Sequence, residues 1–271
     1  MNRRLVLGVA CLAALVLAAG CTGLFGADPV EDDQLNENPP EGYDYEAGWN
    51  SDANAHITIT DGAKFLAVYR VQDDRIELYR EDGFGGQNAI SVSAVRYRYP
   101  DGTVIRGSEF DEHGGSVERT NDAVVVTLPT DRPDDAPGKL AFTADSTPKQ
   151  FTLPTFVEGS YEVVLPEDRK VDFFLFGRVI PDDYETTTDD RNRVHITWEN
   201  VDADSIAVRF YLERDLTIFG GIAVALGLVG VGGLFYYRRK IEKLKEERRE
   251  LGLDVDVDDD DFGRGPPPGM K

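Results

Sequence analysis

Cysteine is almost missing from this 271-residue chain: Cys11 and Cys21 are its only two. Both lie near the N-terminus, so no disulfide and no thiolate metal site can form in the rest of the sequence. Lysine is scarce as well. Residues 22–215 carry 40 acidic side chains against 18 basic ones, and among the latter only Lys64, Lys139, Lys149 and Lys170 are lysines. Histidine stops at His56, His113 and His195, with no pair at the i, i+2 or i, i+4 spacing that places two imidazoles around one zinc ion. There is no Gly-x-Ser-x-Gly elbow and no phosphate-binding P-loop. Asp82-Gly83-Phe84-Gly85-Gly86 is rich in glycine, but no helix pattern follows it, which excludes phosphate cradling. Nothing before Leu216 sustains a helical period, which excludes a helix bundle. The net charge of −21 repels phosphates and excludes nucleic acid as a partner.

What the sequence does contain is a long uncharged run, Leu216–Tyr237. At 1.5 Å per residue it reaches about 33 Å as a helix, enough for the hydrocarbon core of a bilayer. Tyr236 and Tyr237 close it, and Arg238, Arg239 and Lys240 follow at once. Aromatic residues at an interface with basic residues beyond them place the C-terminal side in the cytoplasm and everything before Leu216 outside. Gly220, Ala223, Gly227 and Gly230 recur at three and four residues, the spacing of a face on which another helix can pack closely.

The N-terminus reads as an export signal over residues 1–20. Arg3 and Arg4 precede the apolar run Leu5–Ala19, which ends Leu17-Ala18-Ala19-Gly20-Cys21. These residues resemble a lipobox, in which cleavage precedes a cysteine that is then lipidated, and the resemblance makes Cys21 the lipid attachment site. Arg3-Arg4-Leu5-Val6-Leu7 also resembles a twin-arginine export signal. Residues 21–48 are polar and proline-bearing, with few apolar side chains, and predict a flexible tether, with Tyr43, Tyr45 and Trp49 marking where packing begins.

From Ala55 the hydrophobic period becomes two. His56–Thr60 and Phe65–Val71 flank Asp61-Gly62, a hairpin signal. Between Ala89 and Tyr99 the apolar parity switches from Ile90, Val92 and Ala94 to Val95, Tyr97 and Tyr99, which predicts a bulge. Val117 and Val124–Leu128 flank Asn121-Asp122 as a further hairpin, and Leu140-Ala141-Phe142 reads as a short strand. Val194, Ile196 and Trp198 alternate with polar residues, as do Ile206, Val208, Phe210 and Leu212; the two runs read as a paired hairpin with Tyr161, Val163 and Leu165 as a third member. The run Phe173-Phe174-Leu175-Phe176 predicts a central strand covered on both faces. The fold class is therefore mainly β. It is expected to be an extracytoplasmic β-sandwich, immunoglobulin-like or related, of one or two lobes, with a single C-terminal transmembrane helix. A polar break at Thr143–Pro148 divides it into lobes at 49–145 and 146–213. The membrane helix occupies 214–237, a cytoplasmic juxtamembrane helix 238–252, capped by Gly252, and a disordered acidic and proline-rich tail 253–271.

No catalytic constellation stands out, and no cofactor is expected. His113, within Phe110–Gly115, is the best polar cluster. His56 and His195 fall on the polar parity of their strands and read as surface residues. The acidic loop from Asp182-Asp183 to Asp189-Asp190 lacks the Asp-x-Asp-x-Asp-Gly order of a calcium loop and reads as hydrated surface. Arg3-Arg4, Leu17–Cys21, the acidic β-rich middle and Leu216–Lys240 together resemble haloarchaeal surface lipoproteins that keep a C-terminal membrane helix, a group often left as domains of unknown function. The resemblance implies an envelope location and no reaction. The expected function is a non-enzymatic binding or accessory module that contacts an envelope protein or a glycan. The alternatives are a metal-dependent hydrolase built on the His113 or acidic loops, and a membrane sensor signalling through Arg238–Gly252.

Overall fold

The computed structural model describes residues 27–133 and 137–252. They fall into two compact units, one ending at Glu213 and the other starting at Arg214. Cys21 and the tail beyond Gly252 lie outside the described residues.

The first unit is built from β-sheets. Its largest sheet has eight strands, which run from edge to edge in the order Glu185–Thr188, Val194–Trp198, Tyr161–Val164, Ala55–Ile59, Lys64–Val71, Gly138–Asp145, Val92–Arg98 and Val104–Arg106. All neighbours are antiparallel except Ala55–Ile59 and Tyr161–Val164, which are parallel and set Glu162 opposite His56. A five-stranded sheet includes the hairpin Ser116–Arg119 with Val124–Thr127, and a three-stranded sheet holds Gln150–Pro154, Ser205–Arg209 and Arg178–Ile180.

Period-two alternation decides what faces inward. Ile57, Phe65, Tyr69, Leu140, Phe142 and Val163 project from one face of the large sheet into a core shared with Leu78, Val126, Phe151 and Ile206 of the smaller sheets. The expected bulge is present. Ala94 has φ of 53°, and the register against Gly138–Asp145 slips between Ala141 and Thr143. Val92 and then Val95 and Tyr97 reach the core, while Ala94 turns to the other face.

That other face is also covered. Leu66, Val68, Ala94 and Ala141 form a second, smaller apolar cluster with Tyr45, and Tyr43 and Trp49 pack on it. Packing does begin at Tyr43, Tyr45 and Trp49, but the described part of the expected tether before them is ordered too, and residues 27–51 form a strap on the sheet. Asp32–Leu35 and Glu46–Asn50 are short helices, and Val30, Leu35 and Tyr45 are buried. The helix Glu46–Asn50 lies so close to the sheet that a Cβ at Gly48 would stand 2.4 Å from Val68 Cγ2. Lys139 Nζ donates to the carbonyls of Gly48, Trp49 and Ser51 at 3.2, 2.9 and 2.7 Å, satisfying groups left free at the helix end. Arg96 donates likewise to Leu35 and Glu37 carbonyls, each at 2.9 Å. The hydroxyl of Tyr45 donates to the carbonyl of Ala94 at 2.9 Å, so the strap pairs a backbone group that the bulge leaves out of the ladder. Composition failed here because a few well-spaced apolar residues, held by the half-buried cations Lys139 and Arg96, suffice when the receiving surface already exists.

Three further expectations are corrected. The boundary at 145/146 falls inside one compact unit, because strands from both sides of it share the large sheet. Leu140-Ala141-Phe142 is the middle of the strand Gly138–Asp145, not a short edge piece. Val194–Trp198 and Ser205–Arg209 are not a hairpin; they belong to different sheets and meet through side chains in the common core. The alternation is right, since Val194, Ile196, Trp198, Ile206, Val208 and Phe210 are all buried. Alternation reports which face is inside, not which strand lies alongside.

The second unit begins at the covalent junction with the first. A single helix, Glu213–Glu250, runs for 38 residues with no buried residue, and it is long and apolar enough to cross a membrane. Gly252 follows with φ of 66°, the left-handed conformation that ends a helix.

Candidate functional site

Of the two histidines expected at the surface, His56 is buried and His195 is half-buried. His56 retains 5% exposure because the strap covers the face on which it stands. Its neighbour on the central strand is Glu162, and the next strand carries His195 diagonally across, since Glu162 pairs with Thr197 and Val164 with His195. Same-face neighbours on adjacent strands lie within reach of long side chains. Glu162 Oε2 meets His56 Nδ1 at 2.8 Å, and Glu162 Oε1 meets His195 Nδ1 at 2.8 Å. Ser51 of the strap donates its hydroxyl to Oε2 at 3.1 Å. One carboxylate thus ties three adjacent strand positions and the strap together.

The network continues outward. His195 Nε2 faces Asp189 Oδ2 at 3.3 Å. Asp189 also accepts from Arg193 Nε at 2.8 Å and from the backbone N–H groups of Arg191 and Arg193 at 3.0 and 2.9 Å. Both ring nitrogens of His195 therefore face carboxylate oxygens. Hydrogen bonding to Glu162 raises the His195 pKa above its ordinary value; partial burial opposes this, and Asp189 adds to the rise. The two histidines hold the Glu162 carboxyl well below the usual range despite desolvation. Asp189 is also held low: desolvation pushes it up, but the hydrogen bonds from Arg193 prevail. His56 Nε2 lies 3.3 Å from Thr58 Oγ1, so all four ring nitrogens of this pair have protein partners.

The arrangement favours the ionised form of the Glu162 carboxylate and the protonated form of the His195 imidazole beside it. It does not direct lone pairs at a common point. Among the described residues, no group of three or more His, Cys, Asp or Glu side chains is placed to hold a metal ion. His113, the favoured polar residue in the sequence, ends a short 3₁₀ helix and meets one carboxylate, Asp131, at 2.6 Å; the Tyr99 hydroxyl donates to the same side chain at 2.7 Å. The acidic loop is likewise divided: Asp182-Asp183 and Asp189-Asp190 sit at opposite ends of the edge strand Glu185–Thr188.

Two open clefts border this region. One, of about 860 Å³, is lined by Ser51, Glu162, Asp183, Tyr184, Glu185 and Glu199. The other, of about 1150 Å³, is lined by Asn54, Arg70, Asp73, Glu158, Asp202 and Asp204 among others. Glu162 therefore links the histidine network to a cleft wall. Sequence reasoning missed it because a glutamate on the polar side of a strand looks solvated. Its parity with His56 and His195 was readable, but the strand order that unites the three was not.

The remaining residues singled out in the sequence lie on the long helix. Gly220, Ala223, Gly227 and Gly230 occupy its apolar part, and Cβ atoms added at the three glycines would meet nothing within 4 Å. Arg238, Arg239 and Lys240 continue the same helix, fully solvated in this single chain.

Comparison with curated proteins finds no match. One family profile does match, over residues 51–256, a span that takes in most of the β-rich unit and the entire long helix. The chain belongs to that family, a family of unknown function designated DUF5803.

Proposed function

We propose that this chain is a single-pass membrane protein of the cell surface whose β-rich unit, of sandwich type, lies outside and whose Arg238-Arg239-Lys240 end lies in the cytoplasm. The observation that carries this reading is the long helix, whose large apolar side chains, from Ile218 to Tyr237, all stand uncovered. Lipid is the solvent in which such a surface is stable. The signal-like N-terminus and Cys21 support a second, lipid attachment. The acidic, lysine-poor composition and the lipobox-like signal support an archaeal, halophilic setting of the kind the sequence resembles.

Outside the membrane the unit acts by binding, as an accessory to an envelope protein or a glycan, and not by catalysis. What supports this is the state of its titratable groups: His56 and His195 spend every ring nitrogen on protein partners, and His113 faces a single carboxylate. Open clefts, the larger of the two lined mainly by polar atoms, suit an extended ligand better than a small substrate that must be stripped of water. The test is affinity capture of the tagged protein from its own membranes under mild solubilisation, with a chain lacking residues 27–213 as control. A reproducible partner that is lost with that unit is the expected result. Capture of nothing, together with hydrolase activity in the purified protein, would overturn it.

A further inference from the structure

Phe173–Phe176, expected to lie in a central strand covered on both faces, is instead a turn with an exposed tip, while Val171 before it is buried. Phe174 is 86% exposed and Leu175 50%. The turn is closed, not frayed. The N–H groups of Phe176 and Gly177 both donate to the carbonyl of Phe173, at 3.0 and 2.7 Å. Gly177 approaches the backbone of Val171 so closely that a Cβ there would sit 1.9 Å from its carbonyl oxygen, so only glycine closes the base. Phe173 and Phe176 pack their rings against Tyr211, with centroids 6.5 and 6.0 Å away, and the Tyr211 hydroxyl donates to Asp172 at 2.6 Å. Behind this, Arg169–Lys170 pairs with Tyr211–Leu212. The turn thus holds four consecutive apolar side chains on an ordered base and spends two of them, Phe174 and Leu175, on solvent. A lone exposed apolar residue such as Phe84 needs no explanation, but a contiguous group does.

We infer that this turn is an interfacial anchor, with Phe174 and Leu175 inserted at the headgroup–acyl boundary of the bilayer that holds the long helix. The inference rests on the membrane reading proposed above. Covalent geometry supplies the first argument: Tyr211, on which the turn packs, precedes Leu216 by five residues, and five residues of chain reach at most about 18 Å. Charge supplies the second. In a chain of net charge −21, Lys170 and Arg178 flank the turn, and Arg178 pairs across strands with Arg209. The acids near the turn in sequence are held by the protein: Glu167 by Arg191, Asp168 by Asn192 and Asp172 by Tyr211, while Glu213 and Asp215 stand beside Arg214 at the start of the helix. Aromatic tips among cations match the interface of a phospholipid bilayer, where rings sit at headgroup level and basic side chains meet phosphates. Such an anchor gives the β-rich unit a second attachment to the membrane besides its covalent junction with the helix at Leu212–Glu213.

The test uses the full chain with Cys11 and Cys21 changed to serine and one new cysteine, from Phe174→Cys, Phe84→Cys or Leu228→Cys. Each carries an environment-sensitive dye and is reconstituted into phospholipid vesicles containing lipids with quenchers at headgroup or mid-chain depth. Phe174 and Phe84 are solvent-exposed, so their replacement leaves the core intact. The expected result is at least twofold quenching at position 174 by the shallow quencher, at position 228 by the deep one, and none at position 84. Quenching at 228 with position 174 behaving like position 84 would overturn the anchor and leave the membrane reading standing. No quenching at 228 would overturn the membrane reading and the anchor with it.

Discussion

The two units treat apolar side chains in opposite ways. Up to Glu213 they close on one another: Phe65, Tyr69, Phe142, Trp198 and their neighbours have almost no exposure. From Arg214 onward they face outward, and Val229, for example, is 73% exposed. The hydrophobic effect acts on both, so on the membrane reading proposed above the difference lies in the solvent each unit meets. A β-rich unit in water must assemble its own apolar interior, whereas a helix destined for lipid satisfies its backbone internally and leaves its side chains to the bilayer. The exposed turn at Phe174–Leu175 is where the first unit departs from its own rule, and its base packs on Tyr211, two residues before the helix starts.

The contrast can be broken most severely in the helix. In a Cys21→Ser background, Val224→Asp with Leu228→Asp adds about 5–7 kcal/mol to the free energy of membrane insertion. The protein should then move from the carbonate-resistant membrane fraction to the wash, with the circular dichroism of its β-rich unit unchanged. Next in size is the water-facing interior. Phe142 lies between Phe65 and Tyr69, and Phe142→Ala should lower unfolding stability by about 3–5 kcal/mol, read as the denaturant midpoint, without releasing the protein from membranes.

A smaller effect separates the two faces of the large sheet. Gly48→Ala forces a methyl group into Val68 and should destabilise by about 1–3 kcal/mol. Hydrogen exchange should then rise over residues 43–54 while the inner strands stay protected. The smallest effect is the pH response of the histidine network. His195 has a raised pKa, so its contribution is complete below the ordinary value of 6.5 and is lost as pH rises through the folded value. Glu162 has a lowered pKa, so its contribution is complete above the ordinary value of 4.5 and is lost as pH falls toward the folded value. Thermal stability should therefore be greatest between about pH 4.5 and 6.5. Glu162→Gln should flatten the alkaline limb of that profile and lower stability within the window by about 1–2 kcal/mol, the low end applying because part of each side chain meets water.

Much of this was legible in the sequence, and what was not has identifiable causes. Period-two alternation gave the buried face of Val194–Trp198 and Ser205–Arg209, and the parity switch at Ala94–Val95 marked a bulge that exists. Both are local signals. Strand order is a non-local property, and the candidate site depends on it: Glu162 meets His56 only because Tyr161–Val164 lies parallel to Ala55–Ile59. The strap failed for another reason. Tyr43, Tyr45 and Trp49 marked the start of packing, but Val30 and Leu35 before them are too few to predict order alone, and Arg96, which binds the carbonyls of Leu35 and Glu37, lies far along the chain. The run Phe173–Phe176 misled because apolar density was equated with burial in protein, although a lipid surface offers the same transfer gain.

The most direct test of the account is sidedness in intact cells. In a chain whose native cysteines are changed to serine, Phe84→Cys and Glu250→Cys would each be exposed to a membrane-impermeant maleimide before and after permeabilisation. The account predicts that position 84 is labelled in intact cells and position 250 only after permeabilisation. Labelling of position 250 in intact cells, or protection of position 84, would contradict it.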